Sequence, residues 1–188
     1  MDRALIICDS PKGTEFFQSF LVSSHYSDIT VTSGPDEGRR KFGENEYDIV
    51  LINAPLKNES GEQLAIEIAE KNISQAILVV PIEYMDQITS KVENYGVITV
   101  EKPINKALFA SAIKLAEVTQ RRVEMVANEN RKLKKKMDEL KLISRAKCLL
   151  VSVLGVDEEG AHKYIEKQAM DERMTRKEVA EEVISRFG

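Results

Sequence analysis

The sequence predicts an α/β protein: a doubly wound, five-stranded parallel sheet, then one long helix, then a small helical module. Three observations carry this. Five short apolar runs lie between residues 4 and 100, each separated from the next by a helical or loop segment. From Ile104 to Leu150 neither Gly nor Pro occurs, and helix-forming Lys, Glu, Arg, Leu and Ala dominate. Past Gly155, two helix-start signals appear in quick succession.

The elements follow in order. Ala4-Leu5-Ile6-Ile7-Cys8 is continuously apolar, as befits a strand buried on both faces. Asp9-Ser10-Pro11 ends it and opens a helix through about Val22. Ile29–Thr32 is a more polar second strand, suited to a sheet edge, and Pro35 starts a short helix ending near Gly43. Asp48–Ile52 is the third strand, and Ser60 is positioned to cap a helix running to about Lys71. Ala76–Val80 is the fourth strand, Met85–Tyr95 a weak helix closed by Gly96, and Val97–Val100 the fifth strand. Strands joined by crossover helices favour parallel pairing with helices on both faces.

The long helix carries a heptad. Phe109, Ala116, Val123, Asn130 and Met137 recur seven apart, as do Ala112, Thr119, Val126, Leu133 and Leu140. The seam is clear from Val123 to Leu140, through Val126, Asn130, Leu133 and Met137. A lone helix cannot bury such a seam, so a partner helix is expected; the alternative is a surface helix packed on its own domain. Asn130 at an a-type position costs stability but favours a parallel pair, and Glu129 then faces Lys134 of the second chain. The Lys136–Lys141 pair opposes this arrangement.

From Lys141 the pattern broadens to Leu142, Ile143, Ala146, Leu149, Leu150 and Val153, a stripe for a small helical core. Gly155 stops the helix, Val156-Asp157 reads as a staple residue and N-cap, and the next helix runs to about Arg173. Its inner face takes Ala161, Tyr164, Ile165, Gln168 and Ala169. Thr175-Arg176-Lys177-Glu178 is a capping box opening a last helix that buries Val179, Val183 and Ile184. The expected organisation is a sheet domain over 1–120, a coiled-coil helix over 104–140 continuous with it, and a helical module over 138–188.

The net charge of −4 hides an asymmetry. Between Arg121 and Lys147 ten Lys/Arg face four acids, a window of +6, so the rest of the chain is −10. A basic helix can meet an anion such as nucleic acid, or it can be a solvated face. Cys8 and Cys148 belong to no metal-binding or redox motif. No apolar run reaches membrane-spanning length and no signal peptide opens the chain, so a reduced, cytoplasmic setting is expected. His25 and His162 lie in different modules, and no nucleophile–base set or phosphate loop appears, so an enzyme is not expected, nor a cofactor.

In doubly wound sheets the site lies beyond the carboxyl ends of the strands, where Asp9, Asn53, Pro81 and Lys102 fall. Asp9, the Asp48–Ile52 strand and Glu101-Lys102-Pro103 make residues 1 to about 120 resemble a two-component receiver domain, a flavodoxin-like fold. The departures are informative. Asn53 stands where a receiver takes phosphate on Asp, Cys8 where it has the first of two acids, and Pro81 where it has Ser or Thr. A carboxamide cannot form an acyl phosphate and is a poorer Mg²⁺ ligand. The resemblance therefore implies a degenerate receiver that is not phosphorylated by the usual route. The plainer reading of Asp9 and Lys102 is a leftover ion pair that ties the loops.

Residues 138–186 resemble an ANTAR domain, the RNA-binding output module of bacterial transcription antiterminators. The resemblance rests on Arg145-Ala146-Lys147, Leu150, Ala161, Tyr164, Gln168-Ala169-Met170, Arg173 and Val179-Ala180. Cys148 and Val151 depart from the Gly and Met that the family often has there. The resemblance implies a dimer that binds paired stem-loops in nascent mRNA and prevents terminator formation. Lys147, Lys163, Lys167, Arg173, Arg176 and Lys177 are then candidate phosphate contacts. Tyr164 is read as core before base-stacking residue, and Gln168 is a candidate contact with no preferred role. A sensor or sequestering protein at the degenerate receiver would replace phosphate as input. The alternatives are a protein-interaction regulator acting through the receiver-like domain and coil, and a DNA-binding response regulator, though no helix-turn-helix follows the coil.

Overall fold

The computed structural model describes residues 3–71 and 74–188. Contacts divide the chain into two compact units, Met1–Val126 and Ala127–Gly188.

The first unit is built on β1 (Arg3–Ile7), β2 (Asp28–Thr32), β3 (Ile49–Asn53), β4 (Gln75–Pro81) and β5 (Ile98–Lys102). All pairings are parallel, in the order β2-β1-β3-β4-β5. The polar second strand is an edge, as its sequence suggested. Between strands come α1 (Pro11–Ser23), α2 (Pro35–Glu44), α3 (Glu62–Glu70) and α4 (Met85–Val92), and α5 (Lys106–Leu154) follows β5.

The apolar strands need cover on both faces and receive it, because successive side chains point to opposite sides. Leu5, Ile7, Val50, Ile52, Leu78 and Val80 pack with Phe42, Leu64, Ile68, Ile88 and Val92 from α2, α3 and α4. Ala4, Ile6, Ile49, Leu51, Ile77 and Val79 pack with Phe17 and Leu21 of α1 and Phe109, Ile113 and Ala116 of α5. Phe109 is fully buried, its ring centroid 5.6, 5.6 and 5.1 Å from those of Phe16, Phe17 and Phe20.

Several boundaries differ from the sequence reading for local physical reasons. Asp48 does not extend β3; its carboxylate accepts from the Arg3 N–H at 2.6 Å. Ser60 does not cap α3. Gly61 does, at φ 85°, a conformation suited to glycine, and a Cβ there would sit 3.3 Å from Ile52 Cγ2. The weak helix from Met85 ends at Val92, and a 3₁₀ turn over Glu93–Tyr95 completes it. Asn105 rather than Ile104 opens α5, its side-chain oxygen accepting from the N–H groups of Ala107 and Leu108 at 2.9 and 3.3 Å.

The heptad on α5 splits into two environments. Phe109 and Ala116, on the a-line of the sequence pattern, are buried against the sheet. From Arg121 to Asp138 every residue is exposed. Val123, Val126, Leu133, Met137 and Leu140 are all exposed large apolar residues.

The second unit holds the last part of α5 with α6 (Glu158–Asp171) and α7 (Arg176–Phe187). Its core is Ala146 and Leu150 of α5, Ala161 and Ile165 of α6, and Val179, Ala180 and Val183 of α7. Gly155 ends α5 at φ 65°. Asp157 caps α6 by accepting from Gly160 N–H at 2.7 Å, and Thr175 and Glu178 form the reciprocal capping box of α7. Two apolar-looking positions are not core: Val153 and Cys148 are exposed.

Candidate functional site

In the first unit, Asn53, Pro81 and Lys102 are the last residues of β3, β4 and β5, and Cys8 and Asp9 follow β1. The parallel register brings these ends to one edge of the sheet, with Asn53 opposite Val79 and Pro81 opposite Lys102.

Two of the three residues that depart from the receiver pattern, Asn53 and Cys8, contact each other. Cys8 is buried, and the Asn53 amide N–H donates to its Sγ at 3.2 Å. The Cys8 thiol in turn donates to the Ser10 carbonyl at 3.3 Å. Helix α1 closes over this pair at Gly13, where a Cβ would lie 2.9 Å from Cys8 Sγ and 3.3 Å from Asn53 Nδ2. The space between the first and third strand ends is thus filled by a thiol–carboxamide contact.

Lys102 and Asp9 do not form the ion pair considered from the sequence. The Lys102 ammonium donates to the Ala54 carbonyl, and no carboxylate lies within 4 Å of it among the described residues. Burial holds its pKa below the ordinary lysine value, opposed by the nearby Cys8 and Asp9. Asp9 itself is exposed. The peptide bonds Ala54–Pro55 and Lys102–Pro103 are cis.

The second unit carries the cations singled out from the sequence. Most are partnered on the surface. Lys147 lies 3.7 Å from Glu158, Lys163 2.7 Å from Glu159, Arg176 3.5 Å from Glu166, and Lys177 3.5 Å from Glu181. His162 Nε2 also reaches Glu166, at 3.3 Å. Lys167 and Arg173 make no ion pair among the described residues, and both are exposed. Gln168 donates to Glu172 one turn on, and Tyr164 is half-buried against the core, so its ring is a packing residue first. Exposed pairs of this kind are worth about 0–1 kcal/mol, little enough for a phosphate to replace the carboxylate.

Arg173 has a further property that the sequence did not announce. It follows the C-cap of α6 at φ 56°. The N–H of Met174 returns to the Ala169 carbonyl at 3.0 Å and that of Arg173 to Met170 at 3.4 Å, the double closure usually built on glycine. An arginine is therefore held in the left-handed region at the corner between α6 and α7.

That corner also holds a groove of about 350 Å³ lined by Glu166, Ala169, Met170, Met174 and Arg176. Met170 is 80% exposed, the most exposed large apolar side chain among the described residues. Sequence reasoning noted Met170 only as part of a resemblance and missed Met174 and Glu166 altogether.

Comparison with known proteins places these features. The ANTAR domain model matches residues 131–184. Over 141 residues, 75% of this chain and 69% of the relative, the sequence is 30% identical to the transcriptional regulatory protein PdtaR of Mycobacterium tuberculosis. The first unit's fold is that of solved receiver domains. The signal receiver domain of an HD domain-containing protein from Pseudomonas fluorescens superposes with a TM-score of 0.58 at 18% identity, covering 66% of this chain and 92% of that one. The CheY-like receiver from Methanospirillum hungatei gives 0.58 at 18% identity, covering 65% and 98%. At such identities the likeness is one of fold.

Proposed function

The chain belongs to the ANTAR-domain response regulators, transcriptional regulators with a receiver-like domain, and from that premise we propose that it is an RNA-binding antiterminator. In this reading the module at 138–188 binds paired stem-loops in nascent mRNA, and the helix over 104–140 joins two copies. RNA readers favour loops, whose unstacked bases are open to side chains. Lys147, Lys163, Lys167, Arg173, Arg176 and Lys177 contact phosphates, and Gln168 lies among them.

The observation that carries the reading is that the ANTAR match falls on a three-helix unit with its own core and outward-facing cations. The dimer is supported by the exposed seam Val123, Val126, Leu133, Met137 and Leu140 around Asn130, which a parallel second helix would cover.

Control by something other than phosphorylation is supported by Asn53 at the end of β3 and its contact with Cys8. A sensor or sequestering protein is the proposed input. Ile82 and Tyr84, exposed on the turn after β4, give such a protein an apolar foothold beside the vestigial site. Acetyl phosphate with Mg²⁺ should leave the intact mass unchanged; one added phosphoryl group mapped to the first unit would refute this part.

The deciding experiment recovers bound RNA from cells and sequences it, then measures binding of the recovered paired stems and of each stem alone. Paired stems should bind more tightly, because two modules on one coil raise the effective concentration of the second contact. Equal binding by single and paired stems would refute the two-stem mechanism, and recovery of promoter DNA instead would refute RNA as the target.

A further inference from the structure

We propose that the groove at the α6–α7 corner receives one unstacked base of the RNA loop, laid against Met170 and Met174. This rests on the RNA reading above and deepens it.

Four features converge there. Met170 is 80% exposed and Met174 is partly buried beside it, with Ala169 as a small floor. Thioethers are polarisable and make favourable contacts with aromatic rings, so a planar base suits them. Glu166 sits at the rim, held by Arg176 at 3.5 Å and His162 at 3.3 Å. A carboxylate so fixed accepts hydrogen bonds, which matches an exocyclic amino group or ring N–H of a base. Two cations without ion pairs among the described residues, Lys167 and Arg173, lie in the same stretch of chain, together with the acids Asp171 and Glu172. Arg173 lies between Met170 and Met174 in the chain, and Lys167 precedes Met170 by one turn. They suit the phosphates on either side of a splayed nucleotide. Finally, an arginine at φ 56° where glycine is usual keeps a cation at the corner at some conformational cost.

The size suits a nucleotide base. A volume of about 350 Å³ is at the small end of ligand pockets, the scale of a single base.

The test uses the full chain and a pool of two-stem RNAs with randomised loops, selected for binding. Failure to select any RNA refutes the RNA reading itself. With a selected RNA in hand, Met170→Ser should weaken binding about fivefold, the scale of a sulfur–ring contact, with the salt slope unchanged because no charge is lost. Met170 is exposed, so the variant keeps its fold, which circular dichroism checks. Abasic substitution is then walked through the loop. At one position it should weaken the wild type but not Met170→Ser further, identifying the base in the groove. The proposal is overturned if Met170→Ser binds like wild type, or if no abasic position shows this coupling. It is also overturned if the substitution lowers the dimer mass by light scattering while RNA binding stays intact, which would make the groove a protein contact.

Discussion

Replacing Arg173 separates what its charge does from what its backbone costs. The residue occupies φ 56° at the end of α6, where the left-handed region costs an L-residue about 1–2 kcal/mol relative to glycine. Arg173→Gly removes that cost but frees the unfolded chain, which returns up to about 1 kcal/mol. A net gain of about 0.5–1 kcal/mol remains. Arg173→Ala keeps the strain and removes the same side chain, which makes no ion pair among the described residues. Native-state hydrogen exchange on the full chain reads the difference. Amides of α6 and α7 should exchange about two- to fivefold more slowly in the glycine variant and unchanged in the alanine variant. Both variants lose the same charge, so both should bind the paired-stem RNA more weakly, with the salt slope reduced by about 0.7–1. If the glycine variant exchanges as fast as wild type, the strain argument is wrong. If neither variant lowers the salt slope, Arg173 does not act on RNA through its charge.

Three further outcomes follow. Phe109→Ala should cost about 3–5 kcal/mol, seen as a lower urea midpoint at constant slope, because a fully buried ring among three other phenylalanines is lost; a small loss would mean that the start of α5 is not fixed to the sheet. Asn130→Leu should raise the thermal midpoint of the proposed dimer and mix its helix orientations, checked by melting and by cysteine crosslinking at exposed coil positions; unchanged orientation would remove the role given to the asparagine. The Glu178 carboxyl is held below its ordinary value of 4.5, first by the Thr175 backbone N–H and then by the Thr175 hydroxyl. Its folded pKa being the lower one, the stability it confers is present above 4.5 and lost as pH falls through the folded value, so Glu178→Gln should flatten that acid limb of the unfolding curve.

Much of the fold was legible because its signals are local. Continuous apolar runs gave the five strands, the polar second run gave an edge, and Asp157 and Thr175 named their own helices. The α5 heptad was only half legible. Phe109 and Ala116 keep the same seven-residue spacing as Val123 and Met137, yet the first two face the sheet, and spacing carries no record of which neighbour fills a seam. At the strand ends the sequence already showed residue types, a carboxamide at Asn53 and a thiol at Cys8. That they bond to each other was not legible, because 45 residues separate them and only the β1–β3 pairing brings them together. The cations show the same divide. Glu159 with Lys163 and Lys177 with Glu181 are partners by helical spacing alone, while Glu166 with Arg176 needs two helices to meet. The left-handed Arg173 was invisible, because the sequence offered no glycine to mark the corner.

The thiol–carboxamide contact also bears on what placing carboxylates at these two strand ends would disturb. Asn53→Asp alone would exchange the donor that now meets Cys8 Sγ for a buried anion beside a sulfur. Cys8→Asp alone would set a carboxylate where Gly13 leaves no slack. Pro81 would still supply no hydroxyl. Cys8 and Asn53 are therefore coupled, and a double substitution at the two positions should differ from the sum of the single ones.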